Sequence, residues 1–297
     1  MKTKKGELTS KQLITIIILI ISFAIIIIFF VSLNLRKTVD TEACRNSVIL
    51  RGSLPLGADT VQLKCKTQDV CLSMGGDDCR VTRKDLVTIK VEDENELTKE
   101  MVNLLWDCWW MMGEGKVDYM SSGIGDEEAY CSICNKVYFD DKIKAKYKEE
   151  GGIPYSLIYN YMQSAKVPER DESFLFSIYG FNSMAGVRQD LLVSHGYDIY
   201  EYKIDTEVEQ VVVTSAIYTD WVKAGVASGI TIGLNLGWAC PGICHVIGAV
   251  VGGIVGGFSG YFIGDANSDI NYMAPRYLEF NGDALKSLDC KEYVSET

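Results

Sequence analysis

Closely spaced cysteines are the residues of this sequence that come nearest to a chemical motif. Cys131 and Cys134 form a C-x-x-C pair. Such a pair serves thiol–disulfide exchange when a helix N-terminus lowers the pKa of the first thiol, and it also supplies half of a zinc site. The sequence around it has no thioredoxin-like βαβ pattern and no second C-x-x-C or C-x-x-H. We therefore predict that Cys131 and Cys134 form a structural disulfide, with redox and metal roles as alternatives.

A second group of possible metal ligands is more closely spaced, but it also lacks the full number of ligands. Cys240, Cys244 and His245 lie on the short loop ACPGICH. They supply three soft-metal ligands, whereas a structural zinc site needs four. A disulfide that holds this turn is the simpler interpretation. His195 follows Ser194, but a catalytic Ser–His pair meets in space and not by adjacency in the sequence. We assign no catalytic residue, no metal site and no cofactor, and we predict that the protein is not an enzyme.

Charge and cysteine content narrow the class of protein. The chain has 297 residues and a net charge of −11. Residues 1–37 contain six Lys and Arg against one Glu, so the acidic excess belongs to the rest of the chain. Nucleic-acid binding needs clustered basic residues, so nucleic acid is excluded as a partner. Ten cysteines, an even number, indicate disulfides and an oxidising compartment.

The N-terminal segment predicts an anchor. The stretch from Leu13 to Leu35 contains 23 residues without a formal charge. As a helix it would exceed a hydrocarbon core of roughly 30 Å, so we predict an uncleaved transmembrane helix. Lys residues before it place the N-terminus in the cytoplasm and the body outside the cell membrane.

The body that follows has an α+β pattern. Residues 38–58 are typical of a connector, and TVQLKCKT and DLVTIKV are typical of strands. A helix is predicted from Glu94 to Met112, capped by Asp93, and its tryptophans Trp106, Trp109 and Trp110 are predicted to be core. EEAYCSICNKVYF is interpreted as a short helix. SFLFSIYG and YDIYEYKI are interpreted as strands, and RYLEF as the last strand.

Two glycine series near the C-terminus are the most unusual feature. Each interior glycine costs a helix about 0.5–1 kcal/mol relative to alanine. In lipid, unpaired backbone is so unfavourable that a helix forms nevertheless, and glycines four residues apart let another helix approach closely. Between Lys223 and Asp265 there is no charged residue, and Pro241 divides the run into two arms. The predicted helix-packing residues are Gly225, Gly229, Gly233, Gly237, Gly248, Gly252, Gly256, Gly260 and Gly264.

The spacing of these glycines resembles that of a known class of membrane proteins. Residues 224–264 resemble the glycine-zipper, two-helix membrane proteins, which implies close-packed membrane helices and no catalytic residues. The loop with Cys240 and Cys244 departs from that pattern. A pair of helices packed against the body and a fusion-peptide-like segment are the alternatives.

The N-terminus carries a second resemblance. KKGELTSKQLITIIILIISF is similar to a class III signal peptide of archaeal pilin precursors, which implies cleavage after Gly6. The glutamate favoured in bacterial pilins is replaced by Lys11. The same opening resembles uncharacterised archaeal membrane-anchored proteins, which implies no known activity.

Together these observations predict four regions and one leading function. The regions are a cytoplasmic tail with anchor (1–37), an acidic α+β body (38–222), a glycine-zipper hairpin (223–265) and a C-terminal strand with an acidic tail (266–297). We predict a non-enzymatic, membrane-anchored extracytoplasmic protein whose hairpin inserts into the lipid bilayer or forms a homo-oligomer. A pore-forming component, a pilin-like surface subunit and a thiol–disulfide oxidoreductase are the alternatives.

Overall fold

The computed structural model describes most of the body and part of the N-terminal region. The described residues are 10–32, 35–54, 61–75, 79–81, 83, 85–117, 119, 129–186, 188, 198–218, 270–280 and 290–292. The chain forms two compact units, Met1–Glu42 and Ala43–Thr297.

Six helices are described by their bounds. They are α1 (Ser10–Ser32), α2 (Leu35–Ser53), α3 (Glu94–Met111), α4 (Asp141–Tyr147), α5 (Tyr155–Ser164) and α6 (Phe174–Tyr179).

In the described part of the chain, eight strands form one large sheet and one small one. They are β1 (Gln68–Ser73), β2 (Val87–Lys90), β3 (Ala129–Phe139), β4 (Ile153–Pro154), β5 (Lys203–Ile204), β6 (Gln210–Tyr218), β7 (Ile270–Glu279) and β8 (Cys290–Glu292). The large sheet has the order β2-β1-β3-β6-β7, with β8 pairing β3. It is mixed, because β3 pairs β1 and β8 in parallel and β6 antiparallel, and β6 pairs β7 antiparallel. Strands β4 and β5 form the separate two-stranded sheet.

Helix α3 is the centre of the core. Leu97, Met101 and Leu104 are completely buried. The helix contacts β6 and β7 of the sheet and also α5 and α6. The hydroxyl of Tyr277 on β7 donates to the carbonyl oxygen of Met101 at 2.8 Å, which joins the sheet to the helix. The prediction of a helix over this segment is confirmed, and Asp93 caps it by accepting from the N–H of Glu96 at 2.8 Å.

The predicted fold class needs one correction. The mixed sheet with packed helices confirms an α+β body. A membrane-spanning helix needs about 20 consecutive, mostly apolar residues. Among the described residues, no helix has the length and apolar character that crossing a membrane requires. The transmembrane helix predicted over Leu13–Leu35 is therefore not supported, although α1 is helical from Ser10 to Ser32. The predicted glycine-zipper hairpin lies outside the described residues.

Several predicted elements are of the wrong type. The C-x-x-C segment is not a short helix but part of β3, an eleven-residue strand paired on both sides, so sheet pairing determines its conformation. SFLFSIYG is not a strand but contains α6. Its own sequence contains the capping residues for both ends of a helix. At the start, the Ser173 hydroxyl accepts from the N–H of Phe176, and at the end Gly180 adopts the left-handed conformation at φ +75°. The predicted connector at residues 38–58 includes most of α2.

Three disulfides between described cysteines link these elements. Cys44 on α2 bonds to Cys65, which lies before β1. Cys71 on β1 bonds to Cys79 in the following loop. Cys108 bonds to Cys134 and so links α3 to β3 within the main core. The prediction of a disulfide-bonded body is confirmed.

Candidate functional site

The buried carboxylate of Glu114 forms ion pairs with three cationic side chains. Glu114 lies in the turn that follows α3, and its side chain is only 5 % exposed. A buried carboxylate needs hydrogen bonds or opposite charges to offset its lost hydration. Three cationic side chains from three separate parts of the chain supply them.

The turn that holds Glu114 has an unusual backbone. Gly113, Glu114 and Gly115 all have positive φ values, +78°, +58° and +66°. Glycine accepts this region readily, whereas for a residue with a Cβ it costs roughly 1–2 kcal/mol. A Cβ at position 115 would lie 2.9 Å from a ring carbon of Trp109, so only glycine fits there. The strain at Glu114 is maintained by its contacts, and strained residues are enriched at functional sites.

The three cations bind both oxygens of the carboxylate. Arg170 donates from Nη1 to Oε2 at 2.7 Å and from Nη2 to Oε1 at 2.8 Å. Lys116 donates from Nζ to Oε2 at 3.0 Å, and Arg45 donates from Nη2 to Oε1 at 3.3 Å. The bidentate Arg170 pair fixes direction as well as charge, which a single lysine contact does not.

These contacts keep Glu114 ionised. Burial opposes ionisation, but the hydrogen bonds from Arg170 and Lys116 outweigh it and lower the pKa of Glu114 to about 2. The hydrogen bond to Glu114 in turn raises the pKa of Arg170 above its ordinary value. At neutral pH the site is therefore a fixed ion cluster and not a proton donor or acceptor.

Tryptophan rings on α3 support the two arginines. The guanidinium of Arg45 lies 4.3 Å from the ring centroid of Trp110, and it also donates to the carbonyl oxygen of that residue. The guanidinium of Arg170 lies 5.1 Å from the ring centroid of Trp106. Both distances suit a cation–π contact. Trp106 and Trp109 are buried as predicted, whereas Trp110 is only partly buried against the core, so Trp106 and Trp110 contact both the core and the arginines.

The cluster is defined here as Arg45, Glu114, Lys116 and Arg170. Its ion pairs link α2, the turn after α3 and the segment before α6, and part of its cationic surface is open to solvent. The side chains of Arg170 and Lys116 are 34 % and 55 % exposed, so their remaining donors reach solvent. Three positive charges face one carboxylate in this cluster.

A second buried carboxylate has a purely local role. Asp140 follows β3 and begins α4, where its Oδ1 accepts from the N–H of Ile143 at 2.9 Å. Its Oδ2 accepts from the Ser73 hydroxyl and from the N–H of Gly75, both at 2.8 Å. Burial raises its pKa, but these hydrogen bonds outweigh burial and lower it. Asp140 therefore fixes the ends of the parallel strands β1 and β3 to one helix cap.

The structure separates the two cysteines of the C-x-x-C pair. Cys134 bonds to Cys108 and not to Cys131. Cys131 is also disulfide-bonded. The expected pairing within the motif is thus replaced by bonds to other cysteines, because both residues lie on an extended strand and not on a helix.

The other predicted site residues lie outside the described residues. These are Cys240, Cys244 and the nine glycines from Gly225 to Gly264, together with His195 and His245. Within the described part of the chain, no group of three His, Cys, Asp or Glu side chains is placed to hold a metal ion.

Sequence reasoning missed the Glu114 cluster for a clear reason. Arg45 precedes Glu114 by 69 residues and Arg170 follows it by 56 residues, so no local spacing relates them. One local signal was available. A glutamate between two glycines at the end of a predicted helix indicates a left-handed turn, and such a turn at a charged residue is a candidate functional site.

Comparisons with known proteins gave no match of any kind. No family model matches this sequence. No curated protein and no solved structure matches it either. The function of the chain must therefore be argued from its own residues.

Proposed function

We propose that this chain is a non-enzymatic extracytoplasmic protein of the cell membrane, whose disulfide-bonded body acts by binding. In this proposal the glycine-rich segment at residues 223–265 mediates membrane insertion or self-association. The observation that carries the proposal is the arrangement of disulfides in the body.

The disulfides support an oxidising compartment. Disulfides persist in secreted and extracellular proteins and are rare in the cytosol, where thiols are kept reduced. Cys44 and Cys108 are 1 % and 0 % exposed, so two of the bonds lie within the core. Cys108–Cys134 crosses from the central helix to the central strand, and a reduced form would leave two buried thiols at that contact.

The charged groups support binding over catalysis. Glu114 and Asp140 are buried carboxylates that accept several hydrogen bonds, and both have lowered pKa values. A general acid or base works best when its pKa is near the working pH, so neither group is tuned for proton transfer. The exposed donors of Arg170 and Lys116 are suited to contact with an anionic partner surface.

The thiol–disulfide oxidoreductase alternative has weaker support. Such an enzyme needs the two C-x-x-C thiols to form and break a bond with each other. Cys134 is bonded to Cys108, and this bond is part of the main core.

The first experiment tests the oxidation state in the cell. Cells that express the full chain are quenched with acid, and free thiols are alkylated in denaturant with a mass-adding maleimide, with and without prior reduction. We expect Cys108 and Cys134 to be protected until the reductant is added. Cys108→Ser is the control, because it should release Cys134 and add one mass increment without reductant. Labelling of Cys108 and Cys134 in unreduced wild-type protein would contradict the proposal.

A second experiment tests location. A membrane-impermeant amine reagent is applied to intact cells, followed by mapping of labelled peptides. The exposed lysines Lys99 and Lys148 should be labelled before lysis. Labelling of both only after lysis would place the body inside the cell and refute the proposal.

Two further measurements separate the alternatives. Leakage of liposomes on addition of the purified full chain would favour the pore-forming component. A mature N-terminus at Glu7, found by mass spectrometry, would favour the pilin-like subunit.

A further inference from the structure

Arg276 is a buried arginine whose charge has no counter-ion among the described residues. It lies on β7 and is 6 % exposed. Its Nε and Nη1 atoms have no hydrogen-bond partner. Among the described residues no carboxylate forms an ion pair with it, whereas Arg45 and Arg170 share Glu114. An unpaired buried charge is strongly unfavourable, so the fold needs a reason to retain it.

The strand on both sides of Arg276 is held in place by tyrosines. The hydroxyl of Tyr179 donates to the carbonyl oxygen of Pro275 at 2.7 Å. The hydroxyl of Tyr155 donates to the carbonyl oxygen of Tyr277 at 2.8 Å. Pro275 and Tyr277 are the immediate neighbours of Arg276, so the backbone that carries the guanidinium is fixed on both sides. The position is therefore preorganised, and the tyrosine protons are already used by the backbone.

The tyrosines that bind the backbone on both sides of Arg276 also pack together through a third, Tyr159. The ring of Tyr159 lies 6.3 Å from that of Tyr155 and 5.4 Å from that of Tyr179, measured between centroids. Burial lowers the pKa of Arg276 to about 10, although the hydroxyls of Tyr155, Tyr179 and Tyr159 act in the opposite direction. Arg276 remains charged at neutral pH, with two nitrogen donors, Nε and Nη1, that have no hydrogen-bond partner.

The acidic residue nearest along the strand is not its counter-ion. Glu279 is three positions from Arg276, and side chains at that spacing point to opposite faces of a strand. Burial raises the pKa of Glu279, and Asp205 raises it further. A neighbouring guanidinium would act in the opposite direction.

We propose that Arg276 is the anchor of a binding site for a small oxyanion, a free carboxylate or phosphate, enclosed by Tyr155, Tyr159 and Tyr179. Carboxylate and phosphate oxygens are the groups that a guanidinium recognises best. The tyrosine rings supply the apolar part of the site and exclude competing water. This site is separate from the Glu114 cluster, and it does not depend on the extracytoplasmic location proposed above.

The test is the thermal unfolding midpoint of the full chain while chloride is replaced stepwise by acetate or inorganic phosphate at constant ionic strength. A ligand that binds only the folded state raises the midpoint in a saturable way. We expect such a rise, of several degrees, for wild-type protein with at least one of the two anions. Saturation with acetate but not phosphate identifies a carboxylate ligand, and the reverse identifies a phosphate ligand.

Two variants of Arg276 and one control decide the assignment. Arg276→Met should abolish the rise, and Arg276→Lys should weaken the apparent affinity at least tenfold because a lysine lacks the guanidinium fork. In chloride alone Arg276→Met should unfold at or above the wild-type midpoint, since an unpaired charge is removed. Arg188→Met, at an exposed arginine paired with Asp198, should keep the wild-type response.

Three results would overturn the proposal. One is a wild-type chain with no saturable response to either anion. Another is an equal response in wild type and Arg276→Met, which would be a general salt effect. The third is an unchanged apparent affinity in Arg276→Lys, a variant that keeps the charge and serves as the measure if the Met variant does not fold.

Discussion

The hydroxyl of Tyr179 donates a hydrogen bond to the carbonyl oxygen of Pro275 at 2.7 Å, which ties α6 to the outer side of strand β7. Tyr155 makes the same bond to the carbonyl oxygen of Tyr277, two residues along. In the described sheet β7 is the last strand of the main path. The unpaired carbonyls of a sheet edge attract other strands, and a proline removes one edge N–H donor. Two tyrosines and Pro275 therefore protect this edge from pairing with another chain.

Removal of the Tyr179 hydroxyl should destabilise the body. Tyr179→Phe leaves the buried carbonyl of Pro275 without its donor, which costs about 1–3 kcal/mol. Chemical denaturation monitored by tryptophan fluorescence measures the loss. Tyr200→Phe is the control, because Tyr200 is 48 % exposed and should change stability by less than about 0.5 kcal/mol. Equal stabilities of Tyr179→Phe and wild type would argue against the edge-capping role.

Glu114 should make stability depend on acid pH. Its pKa is about 2 in the folded chain and 4.5 as the ordinary value, so its contribution is complete above pH 4.5 and is lost as the pH falls through 2. We expect Glu114→Gln to reduce the free energy of unfolding by on the order of 2–3 kcal/mol at pH 7, with the difference shrinking below pH 4.5. Urea titrations across pH 2–7 provide the measurement.

Two controls sharpen that pH experiment. Glu149→Gln changes an exposed glutamate and should leave the pH profile unchanged. Arg170→Lys removes the bidentate contact and should reproduce part of the Glu114→Gln effect. A Glu114→Gln difference that stays constant from pH 7 to pH 2 would show that charge is not what the cluster contributes.

The disulfide between α3 and β3 should contribute more than the disulfide that closes the shorter loop after β1. Cys108 and Cys134 are 26 residues apart, and a closed loop of that length stabilises by about 2–4 kcal/mol through the unfolded state. Replacement of both cysteines by alanine should lower the thermal midpoint by several degrees, with two small cavities adding to the loss. The Cys71–Cys79 pair, eight residues apart, offers a comparison in which the loss should be smaller. A larger loss of thermal midpoint for the Cys71–Cys79 pair than for the Cys108–Cys134 pair would contradict this expectation.

The glycine segment remains a prediction from the sequence. Gly252→Leu combined with Gly256→Leu should weaken oligomers in a crosslinking assay of the detergent-solubilised chain, because bulky side chains keep helices apart. Gly252→Ala with Gly256→Ala is the milder control and should retain most of the crosslinked product. Crosslinking that is the same in wild type and the leucine variant would exclude a packing role for these glycines.

Local sequence signals predicted the elements whose boundaries are set by residues within or next to the element. Asp93 and Glu96 predict the start of α3, and both side chains accept backbone N–H bonds there. The strand β2 is also where alternation predicts it. These features depend on residues within one turn or one strand of each other, so a single stretch of sequence contains the information.

Tertiary structure decided what local signals left open. The C-x-x-C segment is a strand because β6 pairs along it, while β8 pairs with the start of β3 and β1 with its end. Cys134 bonds to Cys108 because α3 packs against that strand. Arg45, Glu114 and Arg170 meet only after three distant segments have packed together. The number of cysteines predicted disulfides, and the acidic composition remains the basis for the prediction that nucleic acid is not a partner, since composition alone carries that information. Which cysteine bonds to which, and which charge lies beside which, depends on the path of the chain in space, and no spacing within the sequence encodes that path.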